Sequence, residues 1–294
     1  MKKYPKLSIV TPSLNQGQYI EQTIKSVLSQ EGDFYIDYII SDGGSTDNSI
    51  EIIKKYGELL KTKKYHIKCK GISYRWWSEK DNGQSHAINK GFKIAKGDIL
   101  AWINSDDYYE PGAFEFIMGK FKENPGVDLI YGDGRIINGK AKTTKISLQP
   151  QGTLKKLLEG DCFIFQPSSF FTKKILTNVE FLNENLHYAM DYDLWIKIFK
   201  QGRALHFAKL LSNFRIWENS KSGSQQKQFL SDRKKIFKKY GGNIIRRRTI
   251  CKIKNKLPGI FFFEKQFPIL YKQIKIIFYF FINKLKYRIK NNKT

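Results

Sequence analysis

Short apolar runs alternate with amphipathic segments along the first hundred residues. Leu7 to Val10 has the length and composition of a buried strand and ends in the polar cluster Thr11-Pro12-Ser13-Leu14-Asn15. Ile20, Ile24, Val27 and Leu28 then recur at helical spacing and predict a helix from about Tyr19 to Ser29. Tyr38 to Ser41 predicts a second strand, followed by Asp42-Gly43-Gly44-Ser45-Thr46-Asp47. The glycines there permit a tight turn, and Ser45 to Asp47 can cap a helix over Ser49 to Tyr56. A third strand is expected at Tyr74 to Ser78, a third helix at Gly83 to Ala95, and a fourth strand at Ile99 to Ile103. That last run breaks abruptly into Asn104, Ser105, Asp106 and Asp107.

Repetition of strand, polar turn and helix predicts an α/β domain with a mainly parallel central sheet flanked by helices. Ligands of such sheets bind beyond the carboxyl ends of the strands. Three polar clusters (residues 11–15, 42–47 and 104–107) are expected at those ends, which points to a nucleotide-type site. Two adjacent carboxylates repel each other and are costly to desolvate unless a cation compensates. An oxygen-rich cluster of this kind suits Mg²⁺ or Mn²⁺. The alternative for residues 105–107 is a turn with a helix cap ahead of Pro111.

The second half is less regular. Pro111 to Lys122 reads as a helix stopping at Asn124-Pro125, Asp128 to Tyr131 as a strand, and 132–139 as a turn or hairpin. Phe163 to Thr172 contains Gln166-Pro167-Ser168-Ser169. Asp191 to Phe199 is an amphipathic helix with two acids in its first turn, closed by Gly202. An aspartate there is either a helix cap or a general base projecting into the cleft. No internal repeat is evident.

Composition adds three constraints. A chain of 294 residues holds one large domain, or one domain and an appendage, and 41% hydrophobic content fits a globular protein. The net charge of +25 is uneven: residues 221–294 carry 21 Lys and Arg against Asp232 and Glu264 alone. The three cysteines, Cys69, Cys162 and Cys251, and four histidines lack metal-ligand spacing and fit a reducing cytosol. Met1 to Lys6 runs straight into a strand, so no signal peptide is expected.

Taken in order, several motifs resemble a family 2 glycosyltransferase of the GT-A fold, of the bacterial surface-polysaccharide type. They are LSIVTPSLN at 7–15, IISDGGSTD at 39–47, EKDNGQSHAINKG at 79–91 and GDILAWINSDD at 97–107, then YGD at 131–133, QPS at 166–168 and AMDYDLW at 189–195. The resemblance covers about residues 5–220 and implies a catalytic domain over 1–222. It implies that Thr11 and Pro12 line the base pocket through their backbone, and that Asp42 and Asp81 hydrogen-bond the base. Ser13, Gln84 and Asn89 join the nucleotide-sugar site, and Asp106 faces the ribose or sugar. Asp107 holds a divalent ion, Mg²⁺ or Mn²⁺, bridging the diphosphate, and Asp191 is the general base of a single inverting displacement, with Asp193 as fallback. The donor would be a nucleotide sugar, UDP-linked by family habit, and the acceptor a hydroxyl on a glycan or lipid-linked intermediate. Leu14 stands where an aromatic residue is common, His86 where an aspartate is common. Residues 214–222 resemble an Arg-x-His-x-x-Ser-x-Ser element in which Trp217 replaces the histidine, so that Arg215 and Lys221 are left to hold the diphosphate.

Beyond 222 the resemblance ends, and 223–294 reads as a basic, aromatic-rich, mostly helical extension. Residues 225–240 form a basic helix able to pack back on the catalytic domain. Ile276 to Ile282, seven apolar residues, is too short to span a bilayer. Lys and Arg beside Phe, Ile and Tyr over 250–294 suit a helix in an anionic membrane interface, which predicts peripheral attachment on the cytoplasmic face. Competing readings are a core-packing helix, a solvated tail or an oligomerisation surface. Binding of nucleic acid is not expected, because the charge is concentrated in the tail while carboxylates cluster at the cleft. A nucleotidyltransferase would carry a basic glycine-rich loop after the first strand, which Thr11 to Asn15 lacks. An inactive relative is disfavoured by Asp42, Asp107 and Asp191 together.

Overall fold

The computed structural model describes residues 4–160, 162–218, 220 and 226–241. Its first half follows the apolar pattern. β1 (Lys6–Ser13), β2 (Glu31–Asp42), β3 (Lys68–Ser78) and β4 (Ile99–Trp102) are separated by α1 (Ile20–Leu28), α2 (Ser49–Lys61) and α3 (Gln84–Ile94). β1 pairs in parallel with β2 and β4, and β2 with β3, so their carboxyl ends share one edge. The apolar stripe of α1, Ile20, Ile24, Val27 and Leu28, is fully buried in the core, as its spacing requires. α3 packs close to β1 because Gly91 has no side chain: a Cβ there would lie 2.5 Å from Val10 Cγ1.

The rest of the sheet departs from expectation. β5 (Tyr108–Tyr109) and α4 (Ala113–Glu123) lead to β6 (Leu129–Ile137) and β7 (Thr143–Ser147). α5 (Leu154–Leu158), a 3₁₀ turn at Gln166–Ser168, β8 (Ser169–Thr172) and α6 (Lys173–Asn178) follow. α7 (Met190–Gln201), β9 (Ala204–Arg215) and α8 (Gln226–Tyr240) complete the described chain. The strand order is β3-β2-β1-β4-β8-β6-β9-β5, with β7 on β6. β8 is antiparallel to β4 and β6, and β5 and β7 are antiparallel to their partners, while β9 is parallel to β6. The sheet is therefore mixed: the long ladders β1–β2, β2–β3 and β6–β9 are parallel, as is β1–β4, and short antiparallel pairings of β5, β7 and β8 complete it. β9 escaped the apolar pattern because its register on β6 shifts twice, which breaks the alternation of buried and exposed positions.

α8 packs back on α7, as its sequence allowed. Ile236 and Phe237 are buried, and the Phe237 ring meets Tyr192 of α7 at 6.0 Å. The compact unit so formed runs to Gly242. The expected interfacial segment 250–294, like Lys221 and Cys251, lies outside the described residues. No described helix is long and apolar enough to cross a membrane.

Candidate active site

A cavity of about 710 Å³ opens where the ends of β1 and β4 meet the starts of α3 and α7, the end of β9 and α8. Three carboxylates line it: Asp81, Asp106 and Asp191. Asp191 stands in the first turn of α7, where its Oδ1 accepts the Tyr192 N–H at 2.7 Å. Burial pushes its pKa up, against the pull of that N–H and of the Arg233 charge on α8. The segment leading into α7 is pinned from α8, because Asp232 Oδ2 accepts the N–H groups of His187 and Tyr188 at 3.0 and 3.2 Å. Phe229 and Leu230 of the same helix complete that wall.

Across the cavity, the turn after β4 is held by β9. The Arg215 side chain is buried, and its Nε donates to the Asp106 carbonyl at 2.8 Å. The Arg215 backbone N–H donates to Asp107 Oδ1 at 2.7 Å, and the Trp217 indole N–H to Asp106 Oδ2 at 3.0 Å. Burial raises the pKa of both aspartates, and of Asp107 further because Asp106 adds a second negative charge. At the end of β1, Ser13 Oγ and Gln16 Oε1 are buried in the cavity wall without a hydrogen-bond partner among the described residues. Leaving a buried polar atom unpaired costs about 1–3 kcal/mol.

The sequence model described as Glycosyl transferase family 2 matches residues 8–180. The chain belongs to this glycosyltransferase family. It is 27% identical to the hyaluronan synthase of Pasteurella multocida, over 72% of this chain and 21% of that one. It is 25% identical to the chondroitin synthase of Escherichia coli, over 72% of this chain and 29% of that one. The chain thus spans less than a third of those relatives' length. The fold is shared with S. aureus TarS in complex with UDP-GlcNAc: TM-score 0.60, 19% identity, 79% of this chain and 65% of that one. It is also shared with the Pyrobaculum calidifontis mannosyltransferase in complex with GDP-Man and Mn²⁺: TM-score 0.53, 14% identity, 72% of this chain and 57% of that one. The mixed sheet with flanking helices is accordingly a GT-A fold.

Within this glycosyltransferase, the expected site residues separate into two groups. Pro12, Ser13, Asp81, Gln84, Asp106 and Asp191 all line the one cavity. Asp81 can approach the β2 turn because Gly43 lacks a side chain; a Cβ there would sit 2.7 Å from Asp81 Oδ2. Thr11 lies deeper, fully buried, with its hydroxyl 3.1 Å from that of Tyr38. Asp42, expected to hold the base, is buried and accepts from Gly44 N–H, the N–H and hydroxyl of Ser45 and the Ser78 hydroxyl, so it organises its own turn. Asn89, expected in the donor site, lies roughly 140° round α3 from Gln84 at 3.6 residues per turn. Its amide is committed to Leu182 and Glu184. Asp107, expected to hold the metal, is wholly buried, its Oδ1 taken by Arg215 N–H and its Oδ2 by Asn104 Nδ2 at 3.3 Å.

Two further residues are engaged within the fold. Arg215, expected to hold the diphosphate, is committed to Asp106 O, Asn138 O, Gly139 O and Gln22 Oε1. Asp193 is fully buried beneath α8, accepting the Tyr240 hydroxyl at 2.9 Å, with Lys239 and Lys197 close by. Gln16 and Asp232 went unread as site residues, and α8, read as able to pack back, was not read as a wall of the cavity. For Asp232 a signal existed, since it is an isolated acid in a basic stretch.

The donor set allows a divalent ion through one protein group. Among the described residues no three His, Cys, Asp or Glu side chains converge to hold a metal. Asp106 lines the cavity with Oδ2 engaged by Trp217 and with no other described residue donating to Oδ1. Mg²⁺ and its like often take one carboxylate and complete their shell with phosphate oxygens and water. Asp106 lines the cavity, whereas the Asp107 oxygens accept from Arg215 N–H and Asn104 Nδ2 within the fold.

Proposed function

We propose that the chain transfers a sugar from a nucleoside-diphosphate donor, UDP-linked by preference, to a hydroxyl of a glycan or lipid-linked acceptor, with inversion. The observation that carries this reading is the convergence on one cavity of Asp191, Asp106 and the unpartnered Ser13 and Gln16 atoms. Ser13, Gln16, Asp81 and Gln84 would bind and orient the nucleotide sugar. Asp191 would accept the acceptor hydroxyl's proton at a carboxylate oxygen as that hydroxyl attacks the anomeric carbon. A raised pKa makes it a stronger base than a solvated carboxylate, and a base at this step contributes about 10²–10⁴-fold.

Arg215 is the one Lys or Arg among the described residues of the cavity wall, and it is committed elsewhere. Neutralising a diphosphate there therefore favours a divalent ion, with Asp106 as its protein anchor. When bound, such an ion supplies Lewis-acid stabilisation of the departing diphosphate. In the same reading, 250–294 attaches the enzyme to the cytoplasmic face of an anionic membrane, near lipid-linked acceptors.

Thermal-shift and calorimetric titrations of UDP, GDP and dTDP, each with Mn²⁺ and with EDTA, test the donor site. One nucleotide is expected to stabilise the fold, because a ligand of the native state adds RT ln(1+[L]/Kd). Silence from all three, on folded protein, would sink the reading.

A further inference from the structure

Residues 134–158 contain no aspartate or glutamate, and the hairpin that turns β6 into β7 lies within them. Its turn is ordered by Asn138, whose Oδ1 accepts the N–H groups of Lys140 and Lys142 at 3.0 Å each, with Ala141 at a φ of 59°. Lys140, Lys142 and Lys145 are exposed, and none forms an ion pair among the described residues. Two aliphatic side chains stand bare beside them. Ile146 is 52% exposed, and Leu148, at 72%, is the most exposed large apolar side chain among the described residues. Among those residues β7 pairs with β6 alone, so its outer edge is open.

Lysine on an open edge keeps other strands from adding to it, which accounts for Lys145 but not for Ile146 and Leu148 left in water. Charge selects the partner. A second copy of the hairpin would set lysine against lysine, and residues 243–294 carry 14 Lys and Arg against Glu264 alone, so neither is complementary. A single-stranded nucleic acid stacks its bases on aromatic side chains, and residues 138–148 contain none. An anionic lipid surface suits both kinds of group, because headgroups pair with the lysines while aliphatic side chains enter the acyl boundary. We propose that the 138–148 hairpin docks on an anionic membrane surface, as a contact of the catalytic domain itself and separate from 250–294. The base of the hairpin adjoins the cavity: Arg215 Nη1 donates to the Asn138 and Gly139 carbonyls at 3.2 and 3.0 Å, and a Cβ on Gly139 would lie 3.7 Å from Trp217 Cβ. Arg215 and Trp217 both line that cavity. Docking therefore brings its rim to the lipid, the side from which a lipid-linked acceptor would arrive; this last point rests on the acceptor reading above, and the docking does not.

The test is hydrogen exchange, read by mass spectrometry on the full chain, with vesicles of phosphatidylcholine and phosphatidylglycerol and with vesicles of phosphatidylcholine alone. The amides of 138–148 are expected to gain protection on the anionic vesicles only. Exchange reports this segment apart from any other part of the chain that meets the lipid. Co-sedimentation then measures the partitioning of two full-chain variants. Each lysine at an anionic surface contributes about fivefold, so Lys140→Gln, Lys142→Gln and Lys145→Gln together should weaken binding by about tenfold or more at low salt. That deficit should shrink as salt screens the surface. Ile146→Ser with Leu148→Ser, at unchanged charge, should also weaken binding and remove the protection of 138–148. All of these side chains are exposed, and thermal melts establish that both variants keep the fold.

Unchanged exchange over 138–148 in vesicle-bound protein overturns the inference while leaving attachment through 250–294 standing. Equal partitioning of wild type and both folded variants overturns it too. Should dextran sulfate protect the hairpin as well as the vesicles do, with Ile146→Ser and Leu148→Ser binding lipid like wild type, the surface takes a soluble polyanion and the inference fails. Absence of binding to either vesicle removes it together with attachment through 250–294. No nucleotide is added at any point, so the result stands or falls apart from the donor-site titration.

Discussion

Asp106, Asp107, Asp191 and Asp193 belong to two short motifs, yet each meets different surroundings. Asp106 and Asp191 line the cavity, Asp107 is locked between Asn104 and the Arg215 backbone, and Asp193 anchors α8. Residues two apart on a helix point in nearly opposite directions, which is why Asp191 and Asp193 cannot share a role. Asp191→Asn is expected to abolish the proton transfer, lowering the rate by about 10²–10⁴-fold while nucleotide binding is unchanged. The same variant should melt higher than wild type at neutral pH. Burial raises the folded-state pKa of Asp191, so its protonated form suits the fold and its charged form does not. Wild type therefore loses stability as pH rises through that folded pKa, and the advantage of the asparagine variant should vanish in acid, as melts at a series of pH values would show. For the same reason the acid limb of the rate profile should lie above the ordinary aspartate value of about 3.9.

At the level of elements, β9 and α8 complete a site that the first four strands only begin. β9 brings Arg215, and the segment just after it Trp217, against the Asp106-Asp107 turn, and α8 brings Asp232 under the segment that leads to Asp191. The strands β1 to β4 and helices α1 to α3 were legible because their apolar spacing is regular. β9 was not, because bulges against β6 break its period, and α8, read as a basic helix able to pack back, could not be assigned its partners from sequence. Asp232→Ala leaves two backbone N–H groups unpaired at the entrance to α7. It should cost about 1–3 kcal/mol in urea unfolding. The turnover number should fall with little change in UDP affinity, because the nucleotide-facing residues lie on other elements; an equal loss of both would count against the pinning role.

On the scale of the whole molecule, the chain divides into a compact unit that carries the cavity and a basic remainder beyond Gly242. Residues 1–242 enclose their own hydrophobic core and are expected to fold alone, with the melting response to nucleotide retained. Removing 243–294 should shift the enzyme from anionic vesicles to the supernatant in sedimentation, since that segment carries most of the excess positive charge. Unchanged partitioning would refute membrane attachment through it. The resemblance of the chain's motifs to family 2 pointed to Pro12, Ser13, Asp81, Gln84, Asp106 and Asp191; by itself, the order of apolar runs and polar turns determined the α/β class and the edge of the sheet where the polar turns gather. Local periodicity and turn chemistry suffice for this, because they act between near neighbours in the chain. Which of two adjacent aspartates faces the cavity, whether Arg215 is free, and what Trp217 touches were decided only in the tertiary structure. Those outcomes depend on a hydrogen-bonded turn meeting a strand more than a hundred residues away, and no local pattern records that meeting.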